Sequence, residues 1–232
     1  MNLYKWLRVA LIAIPLFQQV HAADGPCGDL TFGYGPFDYW VDKGRLPIVE
    51  QHHFTAKVEA LRGGQEGYIG GDLDYTLHAF PNHPRALVAM MKLAEKEKKA
   101  QPQGAKYSVG CYFDRAIRYR PNDGMVRMIY ASFLSKQGKK QEAIKELETA
   151  REVGTSSPNM DYNMGLAYFE VGDFEKSIVF AHRAYQAGFN LPGLKSKLVK
   201  AGKWTEPSEM PAMTGANKSS APVIGAKPDS PK

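Results

Sequence analysis

Along the middle of the chain, large apolar residues recur at the i, i+3, i+4 spacing that gathers side chains on one face of a helix. The rhythm repeats itself. Residues 126–138, with Ala143 and Ala150 further on, run parallel to residues 160–172, with Ser177 and Ala184 further on. The interval from Ala131 to Gly165 is also the interval from Gly138 to Gly172, from Ala143 to Ser177 and from Ala150 to Ala184. Small residues at these points let two antiparallel helices cross closely. Leu134, Leu147, Tyr168 and Phe174 fill the space between helices. Gly138 and Gly172 are placed to end the first helix of each pair, where a left-handed residue is least costly. Asp173 is placed to start a second helix, where an acid favours the exposed amides.

Two weaker units precede these. Residues 84–94 read as a first helix and residues 112–121 as its second, closing on Pro121. The interval from Pro81 to Pro121 exceeds the period by six positions, and the surplus is assigned to the charged stretch 95–102. Earlier still, residues 48–62 and 71–81 read as a degenerate pair, with Gly63-Gly64 and Gly70-Gly71 bracketing the turn between them. Residues 192–203 read as a helix covering the last repeat's apolar side, as the ends of stacked-repeat arrays require. Residues 205–232 are rich in Pro, Ser, Ala and Lys without periodicity and are expected to be disordered.

A 34-residue period with two helices per unit resembles the tetratricopeptide-repeat family. The resemblance is strongest over residues 124–189, fair over 84–123 and degenerate over 48–83. Asp161 departs from it, standing where the family has a large aromatic, and Thr155-Ser156-Ser157-Pro158 replaces the usual proline turn. Gly35-Pro36-Phe37-Asp38-Tyr39 and Gly71-Asp72-Leu73-Asp74-Tyr75 are also similar to a group of exported proteobacterial tetratricopeptide proteins, a likeness that names no activity. The fold implied is an all-α solenoid of about four helix-turn-helix units over residues 48–204, with a C-terminal capping helix, preceded by an extended segment at 23–47.

Lys5 and Arg8, the apolar run at 7–17 and Val20-His21-Ala22 form a secretory signal with cleavage expected after Ala22. The run is too short for a membrane span, which needs about 20 residues, and no later stretch is long and apolar enough. The mature protein is therefore expected to be periplasmic or secreted. In that oxidising setting Cys27 and Cys111 are expected to pair as a structural disulfide. The formal charge of +6 falls to +4 once Lys5 and Arg8 are removed. Lys195, Lys197, Lys200 and Lys203 lie in one helix-like stretch that lacks interleaved aromatics or an arginine fork, so no nucleic-acid partner is expected.

No catalytic constellation stands out. Asp72 and Asp74 read as acids at a helix start. His52, His53, His78 and His83 cluster in the first repeat, and His78 and His83 flank a proline turn, yet no cysteine or carboxylate joins them at ligand spacing. No metal or cofactor is expected, and the chain does not read as an enzyme. The resemblance instead implies a concave groove lined by the first helices of successive units, here Val88, Lys92, Met128, Ser132, Tyr162, Asn163, Leu166 and Phe169. Asn163 matches the family asparagine that bonds a bound peptide, and Met128 and Phe169 favour an adaptable apolar groove. The function this implies is a cell-envelope adaptor that binds a partner peptide or helix within a secretion, pilus or polysaccharide-export assembly. The alternative is a ligand-binding protein or enzyme with its site at residues 33–83, among Phe37, Tyr39, Trp40 and the histidines.

Overall fold

The structure is a computed structural model that describes residues 27–31, 33–154 and 157–207. The expected signal segment at 1–22 and the part of the expected tail beyond Pro207 lie outside the described residues. Among the described residues there are ten α-helices, one short 3-10 turn at Lys43–Arg45 and no strand. The helices are α1 Leu46–His53, α2 Ala56–Glu59, α3 Ile69–Ala79, α4 Pro84–Glu97, α5 Val109–Tyr119, α6 Gly124–Lys136, α7 Lys140–Val153, α8 Pro158–Val171, α9 Phe174–Gln186 and α10 Gly193–Lys200. None is long and apolar enough to cross a membrane. The chain divides into two compact units, one through Gly154 and one beyond it.

Backbone details recur at the interval seen in the sequence. Asp123 and Ser157, one period apart, cap the N-termini of α6 and α8, each accepting backbone N–H groups on its side-chain oxygen. Gly138 and Gly172 follow α6 and α8 with φ of 76° and 77°, a conformation in which a β-carbon would be strained. Ala131, Ala143, Ala150, Ser177 and Ala184 have no exposed surface. Where α8 crosses α9, a β-carbon on Gly165 would lie 2.5 Å from the Leu194 side chain and 3.2 Å from the Ser177 carbonyl oxygen. The Ser177 hydroxyl donates to the Gly165 carbonyl at 2.8 Å across the same crossing.

A second recurrence follows the longer interval from Pro81 to Pro121. Helices α3 and α5 each span 11 residues and end in the same turn, in which the amides of His83 and Asp123 donate to the carbonyls of Phe80 and Arg120 at 3.0 and 3.1 Å. His83 and Asp123 then cap α4 and α6. The extra residues between α4 and α5 form a connection at 98–108, whereas α6 and α7 are joined by residues 137–139 alone.

The first helix of the opening pair, expected as one segment over 48–62, is broken into α1 and α2. Phe54 leaves helical geometry, and the Thr55 hydroxyl accepts the Val58 amide to start α2 afresh. The break lets Phe54 turn inward, where it is 2% exposed and its ring meets that of His83 edge-on at 4.7 Å. Gly70 and Gly71 fall inside the first turn of α3 and not in a loop. A β-carbon on Gly70 would sit 3.0 Å from the Ala105 amide, so a small residue is required where the 98–108 connection passes.

In the unit through Gly154, residues 33–42 cross over α1 and α3. The Phe37 amide donates to the Ala79 carbonyl at 2.8 Å, and Tyr34, Phe37 and Tyr39 pack on Leu46, Val49, Ala79 and Phe80. Cys27 and Cys111 are disulfide-bonded, with Cα atoms 5.0 Å apart. Arg115, one turn further along α5, donates to the carbonyls of Cys27 and Asp29, and Arg118 donates to that of Gly28 at 2.9 Å. One stripe of α5 thus holds the segment that begins the described chain.

In the unit beyond Gly154, α10 packs on both α8 and α9. Leu194 and Leu198 are fully buried against Tyr162, Ile178, Ala181 and Ala184. Asp161, which departs from the family pattern, is 7% exposed and pairs with Arg183 of α9 at 3.0 Å. The corresponding position in the preceding pair is Arg127, which pairs with Glu146 of α7 at 2.7 Å. The same helix–helix junction is closed by an ion pair of opposite polarity instead of an aromatic.

Candidate partner-binding surface

The groove candidates divide between the two units. Val88 and Lys92 lie on α4, and Met128 and Ser132 occupy the corresponding positions along the neighbouring α6. Lys92 is exposed, Val88 and Ser132 are half-buried, and Met128 is 6% exposed. Lys92 and its half-buried neighbours are therefore available to a partner, whereas Met128 is largely committed to the core.

On α8 the candidates have other work. Tyr162 is buried, and its hydroxyl accepts the Leu194 amide at 3.2 Å, so it anchors the start of α10. Leu166 and Phe169 are half-buried and pack on the cluster that includes Leu194 and Leu198. Phe169 also meets Phe174 edge-on at 5.4 Å and has the Lys197 ammonium 5.5 Å above its ring. The capping helix thus lies against the α8 side chains expected to receive a ligand. Asn163 is half-buried and donates its amide to Asn159 at 3.2 Å, one turn back on the same helix. A half-buried polar side chain satisfied this way follows the ordinary rule that such groups find local partners.

The aromatic and histidine-rich region at 33–83 is knitted into the fold. His83 has no exposed surface, and its Nδ1 accepts the Ala86 amide at 3.2 Å while its Nε2 lies 3.1 Å from Glu50. An Nδ1 that accepts must be unprotonated, so Nε2 carries the proton and donates to Glu50. Burial pushes the His83 pKa down, keeping the ring neutral, and the hydrogen bond from His83 lowers that of Glu50. His53 stacks on Tyr75 at 3.9 Å and pairs with Asp72 at 3.2 Å. The His78 Nδ1–H donates to the Asp74 carbonyl at 2.8 Å. Asp74 accepts from the Tyr112 hydroxyl and from the Lys106 amide at 3.1 Å, so the acids of α3 tie it to other segments besides sitting in its first turns.

Sequence reasoning passed over one polar node. The side-chain oxygen of Asn82 accepts the Tyr39 amide at 2.9 Å, and its NH₂ donates to Asp123 at 3.0 Å. The Trp40 indole N–H donates to the same Asp123 oxygen at 2.7 Å, and Arg120 pairs with Asp38. Asn82 has no exposed surface. The repeated Pro81-Asn82-His83 and Pro121-Asn122-Asp123 turns were the available signal. The node fixes residues 38–40 against two helix starts and leaves Trp40, at 43% exposed, and Val41, at 69%, on the surface. No protein-family model matches the chain, and no curated protein matches it either.

Proposed function

We propose that this chain is an exported, tetratricopeptide-type adaptor of the cell envelope that binds a partner protein segment along the first helices of its repeats. The observation that carries the reading is the pair of congruent helix hairpins, α6–α7 and α8–α9. Their N-caps, their left-handed glycines and the small residues at their crossings all match at one and the same interval. The basic and apolar leader ending in Val20-His21-Ala22 supports export, as does the disulfide. The exposed parts of α4 and α6, around Val88, Lys92 and Ser132, are the preferred contact surface, because α10 packs on the corresponding side chains of α8.

The test has two arms. N-terminal sequencing of the protein recovered from the envelope should begin at Ala23, and full-length cytosolic protein would defeat the export half. Tagged mature protein should recover a stoichiometric partner from envelope extracts, and the double variant Lys92→Glu/Ser132→Arg should lose it about tenfold or more, equivalent to roughly 1.4 kcal/mol, while keeping its helical circular dichroism. Undiminished recovery by the folded variant would exclude this surface.

A further inference from the structure

Between the ends of α4 and α6 and the start of α5 lies a cavity of about 500 Å³. Tyr130 and Phe133 of α6 form one wall, with their rings stacked at 6.2 Å, and Val109 and Gly110 of α5 contribute the opposite one. The connection at 98–108 supplies a further side through Lys98, Lys99 and Ala100. That connection holds the residues by which this unit exceeds the repeat period. None of Val88, Lys92, Met128 and Ser132 lines the cavity, so it is separate from the surface proposed above and does not depend on that reading.

Its charge is one-sided. Lys98, Lys99, Lys136 and Lys139 line it against a single acid, Glu95. Lys136 pairs with Glu95 at 2.7 Å, and Lys139 lies 3.6 Å from Glu142. Lys98 and Lys99 have no ion-pair partner among the described residues. Lysines at the ends of α4 and α6 also complement the helix dipoles, but that does not explain the backbone of Lys98. It sits at φ 54°, in the left-handed region, at the position where α6 and α8 use Gly138 and Gly172. A non-glycine residue is disfavoured there, so an ammonium group stands beside the cavity at a conformational cost that the ends of α6 and α8 avoid and that, apart from Lys98, only Leu61 after α2 bears among the described residues. Ser108 precedes α5 without turning its hydroxyl onto the helix amides, and it too lines the cavity.

We infer that this cavity binds a small organic anion, with a planar or apolar body against Tyr130 and Phe133 and a carboxylate, sulfate or phosphate group held by Lys98 and Lys99. The volume lies within the range of small-molecule sites. The division into an apolar wall and charged donors matches how such sites separate affinity from orientation.

Naphthalene-sulfonate is a suitable probe, with naphthalene-methanol as its uncharged counterpart, titrated calorimetrically into the mature protein. The sulfonate should saturate one site per chain, and the alcohol should bind at least tenfold more weakly. Lys98→Gly/Lys99→Gln removes both charges while giving the left-handed position the residue that fits it, and it should weaken the sulfonate tenfold or more. Gly110→Leu should abolish binding by filling the space, because Gly110 lines the cavity and a β-carbon there has nothing within 4 Å to exclude it. Both variants should keep the parent's circular dichroism, and neither should melt below the parent. Equal affinity for the alcohol, full sulfonate binding by either folded variant, or no saturable binding would each overturn the assignment.

Discussion

His83 shows at the scale of one residue how burial fixes a protonation state. Its ring accepts a helix amide on one nitrogen and donates to Glu50 from the other, so adding a proton would break the cap of α4. Its folded pKa is depressed below 6.5 by burial, whereas the unfolded chain takes up a proton as the pH falls through that value. The unfolded state then binds more protons, and stability must fall as the pH drops below about 6.5. His83→Asn keeps a cap-competent side chain but cannot titrate. At pH 8 it should be less stable by on the order of 1–3 kcal/mol, and its loss of stability between about pH 6.5 and 5 should be shallower than the parent's. Urea denaturation across that range gives both values, and parallel pH profiles would show that His83 is not the titrating group. Tyr112→Phe probes a neighbouring contact. Burial works against the Asp74 charge, but the bonds from His78 and Tyr112 outweigh it, and the net pKa is lowered. Deleting the hydroxyl should cost about 1.5–3 kcal/mol, the range for a hydrogen bond to a charged group. A change under about 0.5 kcal/mol, the usual range for surface substitutions, would mean that water replaces it.

Among the elements, the crossing of α8 and α9 sets a tight steric limit. Gly165→Leu would drive a branched side chain into Leu194 and the Ser177 carbonyl. It should destabilise the unit beyond Gly154 by several kcal/mol, beyond the usual ~1–3 kcal/mol of overpacking, because backbone blocks one side. Near-parent thermal stability would show that α10 moves aside. Tyr162→Phe should cost only about 0.5–1.5 kcal/mol, the net worth of its bond to the Leu194 amide. The helix positions and the small residues at this crossing were legible in the sequence because a fixed period repeats them. The break between α1 and α2 was not, since it depends on Phe54 finding His83 and Arg85 from a distant helix start. Nor was the fate of Tyr162 and Phe169. Periodicity shows that they share a helix face, but which element covers that face is decided by where α10 returns.

For the whole molecule, the C-terminal boundary and the disulfide decide how much of the chain is held. The expected tail begins at Thr205, yet the Thr205 carbonyl accepts from His182 at 2.8 Å, and Glu206 accepts from the Trp204 indole at 2.9 Å and lies 3.5 Å from Lys195. Truncation after Pro207 should leave the melting temperature unchanged, whereas truncation after Trp204 should lower it. Equal melting of the two would show that these contacts contribute nothing.

At the other end, the Cys27–Cys111 bond spans 84 residues of sequence and encloses every helix from α1 to α4. Closing so long a loop removes unfolded-state entropy worth about 4–5 kcal/mol on chain-entropy grounds, and measured values run nearer ~2–4 kcal/mol. Arg115 adds a second dependence. Among the described residues, its Nε and one terminal nitrogen are buried without a hydrogen-bond partner, and its other terminal nitrogen donates to the carbonyls of Cys27 and Asp29. If reduction frees residues 27–31, a buried guanidinium loses those acceptors as well. Outside the expected signal segment, which holds Trp6, each unit carries one tryptophan, Trp40 and Trp204, so a Trp204→Phe background of the chain beginning at Ala23 reports on the first unit alone. In that background, reductant should lower the Trp40-detected midpoint by roughly 4–16 °C, taking about 2–4 kcal/mol at about 2–4 °C per kcal/mol. Cys27→Ser should show the lowered midpoint without reductant and no further response to it. An unchanged midpoint in both would mean that α5 grips the segment through its arginines without help from the disulfide.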